Sequence, residues 1–596
     1  MNFFREAPMP RWSTLTAAIA ALAIVGCNMN IENPNDPDRI RSLSQPSGLQ
    51  KLIAGAARTW AETRGNYYVM PLDAQADNYT ASWNNAAMRF YSSVGSDCPD
   101  RCGWTNSSTA PEAAGGPTVE VLWYGYYNVL TSANNVLTGI ETLHVCFDAD
   151  CSVDSTNTQR NKAVARMLQG MALAGIAVIY DQGFVVDETT DLTNPKALPF
   201  STRQEVRDAA LAKLAQAYTE AGVLSWSTPS QADGPWFGLT SGQEYTNVQI
   251  QQLIRTMQAE LIAMYPRNGA ENTAADWAAV ANYASQGISS GTPFNFEYYI
   301  DETTRECGVD CIKTWGNSVS TERVDTRVAA LLTTNHVDPW PFPNGNPCPT
   351  VSSDARVGDG TFGPANNANY DQVAIAPADG GAGTDYACAG VAIFPPARGS
   401  YHQSNLQHVR YHTLAYRGED WPADDGTGQD AFYTTQMNDL LWAEGLIRSG
   451  GNLVTAANLI NNSRVTRGGL PALTGAETQA QLITALQYEQ EIEFMGQGVD
   501  PFFNRRRSGY TVPASGGRPA YNDGLIPGTP RHMPVPAKEL DILTRAVYTF
   551  GGPTGPDMSK SVNGGQSQET VGDRFRALQN ARPGYLTRFL PSEMRF

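Results

Sequence analysis

Apolar residues recur at spacings of three and four along much of the chain, which places them on one face of an α-helix. The clearest example is 118–143, whose apolar stripe consists of Val119, Leu122, Tyr126, Leu130, Ala133, Leu137 and Ile140. A second helix is predicted at 161–180, and a third at 203–222 begins where Thr202 and Glu205 have the spacing of a capping box. The same periodicity predicts further helices near 247–264, 274–288, 432–448, 453–465 and 478–495.

Strand patterns are sparse by comparison. Positions 340–400 and 508–535 are rich in glycine, proline, asparagine and aspartate, which is typical of long loops, and we expect these loops to be ordered. The predicted helices follow one another in pairs joined by short or moderate connections. The pattern therefore predicts a mainly α fold, a tetratricopeptide-like helical-pair scaffold with long ordered loops and a few short strands, although no strict repeat signature is visible.

The first 27 residues have the pattern of a targeting segment. Arg5 and Arg11 precede an apolar stretch at 15–25, and the sequence Ile-Val-Gly-Cys at 24–27 resembles a lipobox. We expect cleavage before Cys27, lipidation of its thiol and attachment to a membrane through the lipid. An ordinary signal peptide with a chance cysteine is the alternative. Residues 28–45 are predicted to be an extended tether because prolines interrupt them, and no membrane-spanning helix is predicted after it.

Charge and cysteine content narrow the possible functions. The net charge of −17 argues against nucleic-acid binding, which requires a basic face. Besides Cys27 there are eight cysteines, in the order Cys98 and Cys102, Cys146 and Cys151, Cys307 and Cys311, Cys348 and Cys388. An even number in an exported chain predicts four disulfides, with local pairing as the simplest arrangement. Zinc is the alternative, but no histidine lies beside either Cys-x3-Cys pair.

Several segments match, in order, the pattern of a known family. They are NPNDP at 33–37, LQKLIAGA at 49–56, WYGYYNVL at 123–130 followed by ANNVL at 133–137, the stretch 163–184, LLWAEG at 440–445, LINNSR at 459–464 followed by RGGL at 467–470, and MPVPAKEL at 533–540. Taken together, they resemble the SusD/RagB family of outer-membrane nutrient-binding lipoproteins. The stretch 488–498 departs from the family pattern, since Gln490 and Gly498 stand at or near positions where the family has arginine, and the cysteine pairs are also outside it.

The resemblance implies an organisation and a role. It assigns 46–270 to an N-terminal helical region and 271–596 to a C-terminal region with long loops. It also implies a surface-exposed, outer-membrane protein that lies as a lid over a SusC-like TonB-dependent β-barrel and captures oligosaccharides or peptides for import. Such proteins are not enzymes and need no cofactor. The alternatives are a helical-repeat surface scaffold and a surface-anchored glycosidase or peptidase, and glycan and peptide ligands are not distinguished.

Ligand binding without catalysis requires aromatic platforms and hydrogen-bonding side chains on loops, because sugar faces stack on rings while hydroxyls bond to polar groups. Candidates are Asp77, Asn78, Tyr79, Trp83 and Asn84 after the first helix, Trp104 after one cysteine pair, and Tyr298 and Trp315 on either side of another. Cross-linked loops that carry aromatics are typical of a preorganised binding rim. The alternative is that these rings cap the core or fill an interface. Trp123, Tyr126 and Tyr127 are predicted to be core.

Three further patterns are weaker. His408 and His412 would share one face if 404–416 were helical, a spacing that suits a metal, but we favour a surface or interface pair and predict no metal site. The run of arginines at 505–507 is expected to be a solvated loop. Asp424 and Asp425 could bind Ca²⁺, although their spacing does not match an EF-hand loop. No phosphate-binding loop, dinucleotide fingerprint or nucleophile-elbow motif is present.

Overall fold

The computed structural model of the chain describes residues 43–80, 87–93, 101–107, 116–230, 234–238, 242–300, 312–313, 322–332, 352–357, 385–388, 404, 406–411, 428–498, 500–508, 524–526, 528–550 and 559–561. Most of these residues are helical. The helices of the first half are α1 (Pro46–Arg64), α2 (Met70–Gln75), α3 (Met88–Ser92), α4 (Gly116–Leu137), α5 (Thr156–Ile179), α6 (Arg203–Ala221) and α7 (Asn247–Met264). Those of the second half are α8 (Gly269–Thr273), α9 (Trp277–Ala284), α10 (Thr326–Leu331), α11 (Thr435–Ser449), α12 (Leu453–Arg464), α13 (Gln479–Glu493), α14 (Asp500–Ser508) and α15 (Ala537–Ile542).

The long helices pack side by side in a series. α1 packs on α4, α4 on α5, α5 on α6 and α6 on α7. The series continues through α9 and α11 to α12 and α13. The predicted tetratricopeptide-like arrangement of helical pairs is therefore confirmed. One apolar core holds side chains from both predicted regions, on either side of position 270, while the boundary itself stays a prediction.

The helix ends follow from capping chemistry. Thr202 accepts a hydrogen bond from the Glu205 amide, and the Glu205 carboxylate accepts one from the Thr202 amide at 2.7 Å, so the predicted capping box at α6 is confirmed. Two predicted helices differ at their ends from the observed ones. The predicted helix 432–448 begins only at Thr435, because 428–433 forms a strand and Thr434 caps the helix. Of the predicted helix 274–288, the structure keeps Trp277–Ala284, capped by the Asp276 side chain.

The close contact between α4 and α5 requires a glycine at position 175. A Cβ atom at Gly175 would lie 2.5 Å from ring carbons of Tyr126, well inside van der Waals contact. Tyr126 and Trp123 are buried as predicted, and Tyr127 is partly buried.

Among the described helices, α5 alone is long and apolar enough to cross a bilayer by length and composition, but 89% of its most apolar window is buried inside the protein, as in a core helix.

Short strands form five antiparallel pairs in the described part of the chain. They are β1 (Tyr79–Thr80), β2 (Gln182–Gly183), β3 (Ser201–Thr202), β4 (Phe296–Ile300), β5 (Arg323–Val324), β6 (Tyr386–Cys388), β7 (Leu406–His408), β8 (Gly428–Tyr433), β9 (Tyr548–Phe550) and β10 (Ser559–Ser561). β1 pairs with β5, β2 with β3, β4 with β8, β6 with β7, and β9 with β10. The β1–β5 and β4–β8 pairs join segments that are distant in the chain, whereas the other three pairs are more local.

The cysteines support the disulfide prediction in part. The sulfur atoms of Cys146 and Cys151 lie at disulfide-bonding distance, and Cys102 is also disulfide-bonded. Cys98, Cys307, Cys311 and Cys348 lie outside the described residues, as does the side chain of Cys388 in β6. The lipidation site Cys27 and most of the predicted tether also lie outside them.

Candidate ligand-binding region

Asp77 and Asn78 form the turn that leads from α2 into β1, which begins at Tyr79, and all three residues are buried. Asp77 adopts a left-handed conformation with φ of 55°, and its carboxylate pairs with Arg101. Arg101 also donates to the Tyr91 carbonyl at 2.7 Å. The turn is thus anchored inside the protein by a buried ion pair, rather than exposed on a rim.

The Tyr79 hydroxyl forms a hydrogen bond with His408, whose Nδ1 atom lies 2.7 Å from the phenolic oxygen. Burial lowers the pKa of His408 to about 3, so its ring is neutral at physiological pH. The condition that 404–416 is helical is not met, because 406–408 is strand β7. His408 is therefore an interior partner of Tyr79, and His412 lies outside the described residues.

Trp104 and Tyr298 are also buried. The Trp104 ring lies 4.7 Å from that of Tyr91, and the Tyr298 hydroxyl donates to the Gly238 carbonyl at 3.2 Å. This burial favours the alternative in which the rings fill the core. The burial of Asp77, Asn78 and Tyr79 likewise favours an interior position for these side chains. Trp83, Asn84 and Trp315 lie outside the described residues. Ligand contact by each of these eight candidates stays a prediction.

The structure links the described candidates through the strand pairs. Tyr79 lies opposite Val324 in the β1–β5 pair, and Ser404 donates to the Val324 carbonyl beside β7. Tyr298 lies opposite Asp430 in the β4–β8 pair, and Asp430 forms a buried ion pair with Lys313 at 2.5 Å. The described segments that precede Trp83 and Trp315 in the chain are therefore held in place by buried hydrogen bonds and ion pairs.

Glu322 is a buried acid that no sequence pattern indicated. Its side chain precedes β5, and neither carboxylate oxygen has a hydrogen-bond partner. Burial raises the pKa of Glu322 to about 8. The protonated form is therefore favoured in the folded protein up to that pH.

We expect the free energy of unfolding to depend on this acid. Because its pKa is raised on folding, its stabilising contribution is complete below the unfolded pKa near 4.5 and is lost as pH rises towards 8. The loss should be about 1.4 kcal/mol per pH unit between these values. Urea denaturation of wild type and Glu322→Gln at pH 6 and pH 7 tests this expectation. A difference between the two proteins that does not change with pH would contradict it.

The three arginines at 505–507 were predicted to lie in a solvated loop, and this prediction is wrong. They belong to α14 and all three are buried. Arg505 pairs with Glu491, and Arg507 forms a bidentate pair with Glu444 at 2.7 and 2.8 Å. Arg506 donates to main-chain carbonyls. Consecutive helical residues point in different directions, so each arginine reaches a different set of acceptors.

A cavity inside the helical scaffold contains a polar cluster. Arg64 lies 2.6 Å from both Glu260 and Asp500, and Tyr433 donates to Glu260 at 2.6 Å. Burial raises the pKa of Asp500 well above its usual range, with Arg64 opposing and Glu260 reinforcing the effect. The cavity volume is about 40 Å³, which is enough for a few water molecules and too small for a sugar ring.

One group of side chains in the described residues has the spacing for a metal ion, formed by Cys146, Asp148 and Cys151. Both sulfur atoms are engaged in the disulfide, and Asp148 accepts hydrogen bonds from the amides of Asn157 and Thr158 at the start of α5. Burial by itself would raise the pKa of Asp148, but these amides lower it. Asp148 therefore caps the start of α5. The Ca²⁺ candidates Asp424 and Asp425 lie outside the described residues.

Comparison with known proteins establishes the fold. No family model and no curated protein matches the sequence. A solved SusD superfamily protein from Bacteroides thetaiotaomicron is similar over 84% of this chain and 98% of its own, with 12% identity and a TM-score of 0.53. A SusD superfamily protein from Bacteroides fragilis covers the same shares with 12% identity and a TM-score of 0.52. A SusD homolog from Bacteroides thetaiotaomicron covers 87% of this chain and 99% of its own, with 13% identity and a TM-score of 0.51.

Proposed function

We propose that this chain, whose fold is that of the SusD/RagB proteins, is a cell-surface lipoprotein that captures nutrients for a TonB-dependent transporter. The observation that carries the proposal is the likeness to SusD-like structures over 84% of the chain and 98% of the solved protein. The lipobox before Cys27 supports attachment to the outer membrane. The ligand is an oligosaccharide or a peptide, and it is bound without being cleaved.

The order of the sequence motifs supports the same role. The WYGYYNVL and ANNVL segments lie in α4, LLWAEG in α11 and LINNSR in α12, so each motif occupies the packed scaffold. The MPVPAKEL segment docks on the end of α5, where the Met533 amide donates to the Ile179 carbonyl at 2.7 Å. These motifs therefore maintain the fold, and the ligand is left to the loops that the scaffold carries.

Affinity purification of the tagged protein from its own outer membrane, after gentle detergent extraction, tests the transporter partnership. Recovery of a large TonB-dependent barrel in comparable amount would support the proposal. Recovery of the protein alone would count against it and would favour the surface scaffold. Incubation with a panel of glycans and peptides separates binding from catalysis, because release of cleavage products would favour a surface enzyme.

We expect Trp83 and Trp315, which the sequence predicts to lie in loops, to behave differently on substitution from the buried Trp104. Trp83→Ala or Trp315→Ala should weaken retention of the bound glycan or peptide and leave the melting temperature nearly unchanged. Trp104→Ala is the matched control: it removes a ring that is 1% exposed and should lower the melting temperature, because it opens a cavity. Ligand retention and thermal unfolding are measured on the same preparations. Equal losses of stability in all three variants would show that Trp83 and Trp315 are core residues.

A further inference from the structure

Guanidinium groups gather at the C-terminus of α7, around Tyr265. They come from Arg203 at the start of α6, Arg267 just after α7 and Arg506 in α14. Arg203 lies 3.2 Å from Glu271, and Arg267 lies 3.2 Å from the other oxygen of the same carboxylate. Two arginines thus share a single carboxylate, which itself is 33% exposed.

Arg506 is a buried cation whose hydrogen bonds all go to main-chain carbonyls. It donates to Pro266 at 3.2 Å, to Met264 at 3.0 Å and to Arg531 at 2.7 Å. The carbonyls at the end of α7 carry a partial negative charge, which offsets only part of the charge of a guanidinium. Burial, with Arg203 and Arg267 nearby, lowers the pKa of Arg506 well below that of an ordinary arginine. The environment of Arg506 is therefore short of negative charge.

Arg203 has one unused hydrogen-bonding group. Its Nη2 atom donates to the Tyr265 carbonyl at 2.7 Å, and its guanidinium lies 3.7 Å from the centre of the Tyr265 ring. Its Nη1 atom is buried and has no hydrogen-bond partner, and the residue as a whole is only 8% exposed. A buried donor without an acceptor is unfavourable by about 1–3 kcal/mol, and more for a charged group. An acceptor at this position would remove that cost.

Among the described residues, the other acids near the cluster neutralise its charge only in part. Asp181 lies within electrostatic range of Arg267, but it accepts hydrogen bonds from Tyr548 at 3.0 and 2.9 Å, and burial raises its pKa to about 7. Asp208 pairs with Arg207, whose guanidinium also lies over the Tyr265 ring. Arg203, Arg267 and Arg506 therefore bear three positive charges against Glu271 and a partly ionised Asp181.

We propose that Arg203 and Arg267, with the buried positive charge of Arg506 behind them, form a binding site for an oxyanion group, such as a phosphate, a sulfate or a carboxylate. The planar fork of a guanidinium matches two oxygens of such a group. Glu271 occupies part of the site and, being partly exposed, can be displaced by an incoming anion. In a protein of net charge −17, a local excess of positive charge is available to attract an anion. This inference does not depend on the proposed role in nutrient uptake.

The site can be tested by titration calorimetry and by thermal unfolding. Both are carried out with phosphate, sulfate and glucuronate, at an ionic strength matched with sodium chloride. We expect saturable binding and a rise in melting temperature with the oxyanions beyond that with chloride. Arg267→Gln should reduce affinity at least several-fold. Glu271→Gln should increase it, because the competing carboxylate is gone. Arg58→Gln and Glu62→Gln are matched controls, since Arg58 and Glu62 form a comparable i,i+4 pair, and they should leave anion binding unchanged.

The opposite signs of the two variants distinguish a site from a structural cluster. A merely structural role would give no saturable oxyanion effect, and that result would overturn the proposal, as would equal anion responses in wild type and Arg267→Gln. Vesicles of phosphatidylcholine with and without phosphatidylglycerol identify the source of the group. Binding to the anionic vesicles that phosphate competes away would assign the site to a lipid headgroup, whereas binding of the free anions alone would assign it to a small ligand.

Discussion

Replacing Arg356 with alanine is expected to lower the free energy of unfolding by about 3–5 kcal/mol, because it leaves buried carboxylates without their cation. Arg356 is fully buried and lies at the centre of a network that joins α13 to the segment 352–357. It contacts Asp354 at 2.7 Å, Glu489 at 2.9 Å and Glu493 at 2.8 Å. Burial by itself would lower the pKa of Arg356, but these three carboxylates raise it above its usual value.

The surrounding cations replace Arg356 only in part, and Arg464 lies 3.6 Å from Glu489. Arg410 and Arg467 both contact Glu493, at 2.7 and 3.0 Å, and Arg467 also holds Asp385. Neither forms an ion pair with Asp354 or Glu489 among the described contacts. Urea denaturation measures the loss. Arg58→Ala is the control, since its 40% exposed side chain pairs with Glu62 on the same helix and should change stability by less than about 0.5 kcal/mol. A loss below about 1 kcal/mol for Arg356→Ala would show that the network contributes little.

Replacing Glu444 with glutamine is expected to cost about 3 kcal/mol at pH 7 and to flatten the acid side of the stability profile. Glu444 in α11 accepts two hydrogen bonds from Arg507, one from Arg448 at 2.7 Å and one from Gln490 at 2.8 Å. Burial by itself would raise the pKa of Glu444, but Arg507 and Arg448 lower it to about 2. Each unit of this shift corresponds to about 1.4 kcal/mol.

The sign of the pH dependence follows from the lowered pKa. The stabilising contribution of Glu444 is complete above the unfolded value near 4.5 and is lost as pH falls towards 2. Wild type should therefore lose stability faster than Glu444→Gln between pH 5 and pH 3, when unfolding is followed by denaturant titration. Glu244→Gln, at an exposed position, is the control and should reproduce the wild-type profile. Parallel profiles for wild type and Glu444→Gln would refute the assignment.

The helices could be predicted from the sequence because their signal is local. The apolar stripe in α4 and the capping residues Thr202 and Glu205 at α6 act within a few residues of one another, so the chain itself displays them. The order of the family motifs likewise indicated the fold that comparison with solved structures supports. Boundaries failed where a distant partner intervened: the start of α11 was misplaced because β8 pairs with β4 more than 100 residues earlier in the chain.

The candidate site could be predicted only in part, because burial is decided by contacts that sequence spacing does not show. Asp77 and Tyr79 have the polar and aromatic character of a binding loop, but their partners Arg101 and His408 enter from elsewhere in the chain and draw them into the interior. The unpartnered Glu322 had no local signal at all.

The sequence by itself determined the helical class, the capped start of α6 and the order of the family motifs, since each depends on neighbouring residues. Only the tertiary structure decided which charges are paired. Arg505, Arg506 and Arg507 are identical in the sequence, yet their partners in α14 differ. Arg505 pairs with the Glu491 carboxylate, Arg506 donates only to main-chain carbonyls, and Arg507 forms a bidentate pair with Glu444. The reason is physical: the free energy of a charge depends on what surrounds it in space, and most of those groups come from distant parts of the chain.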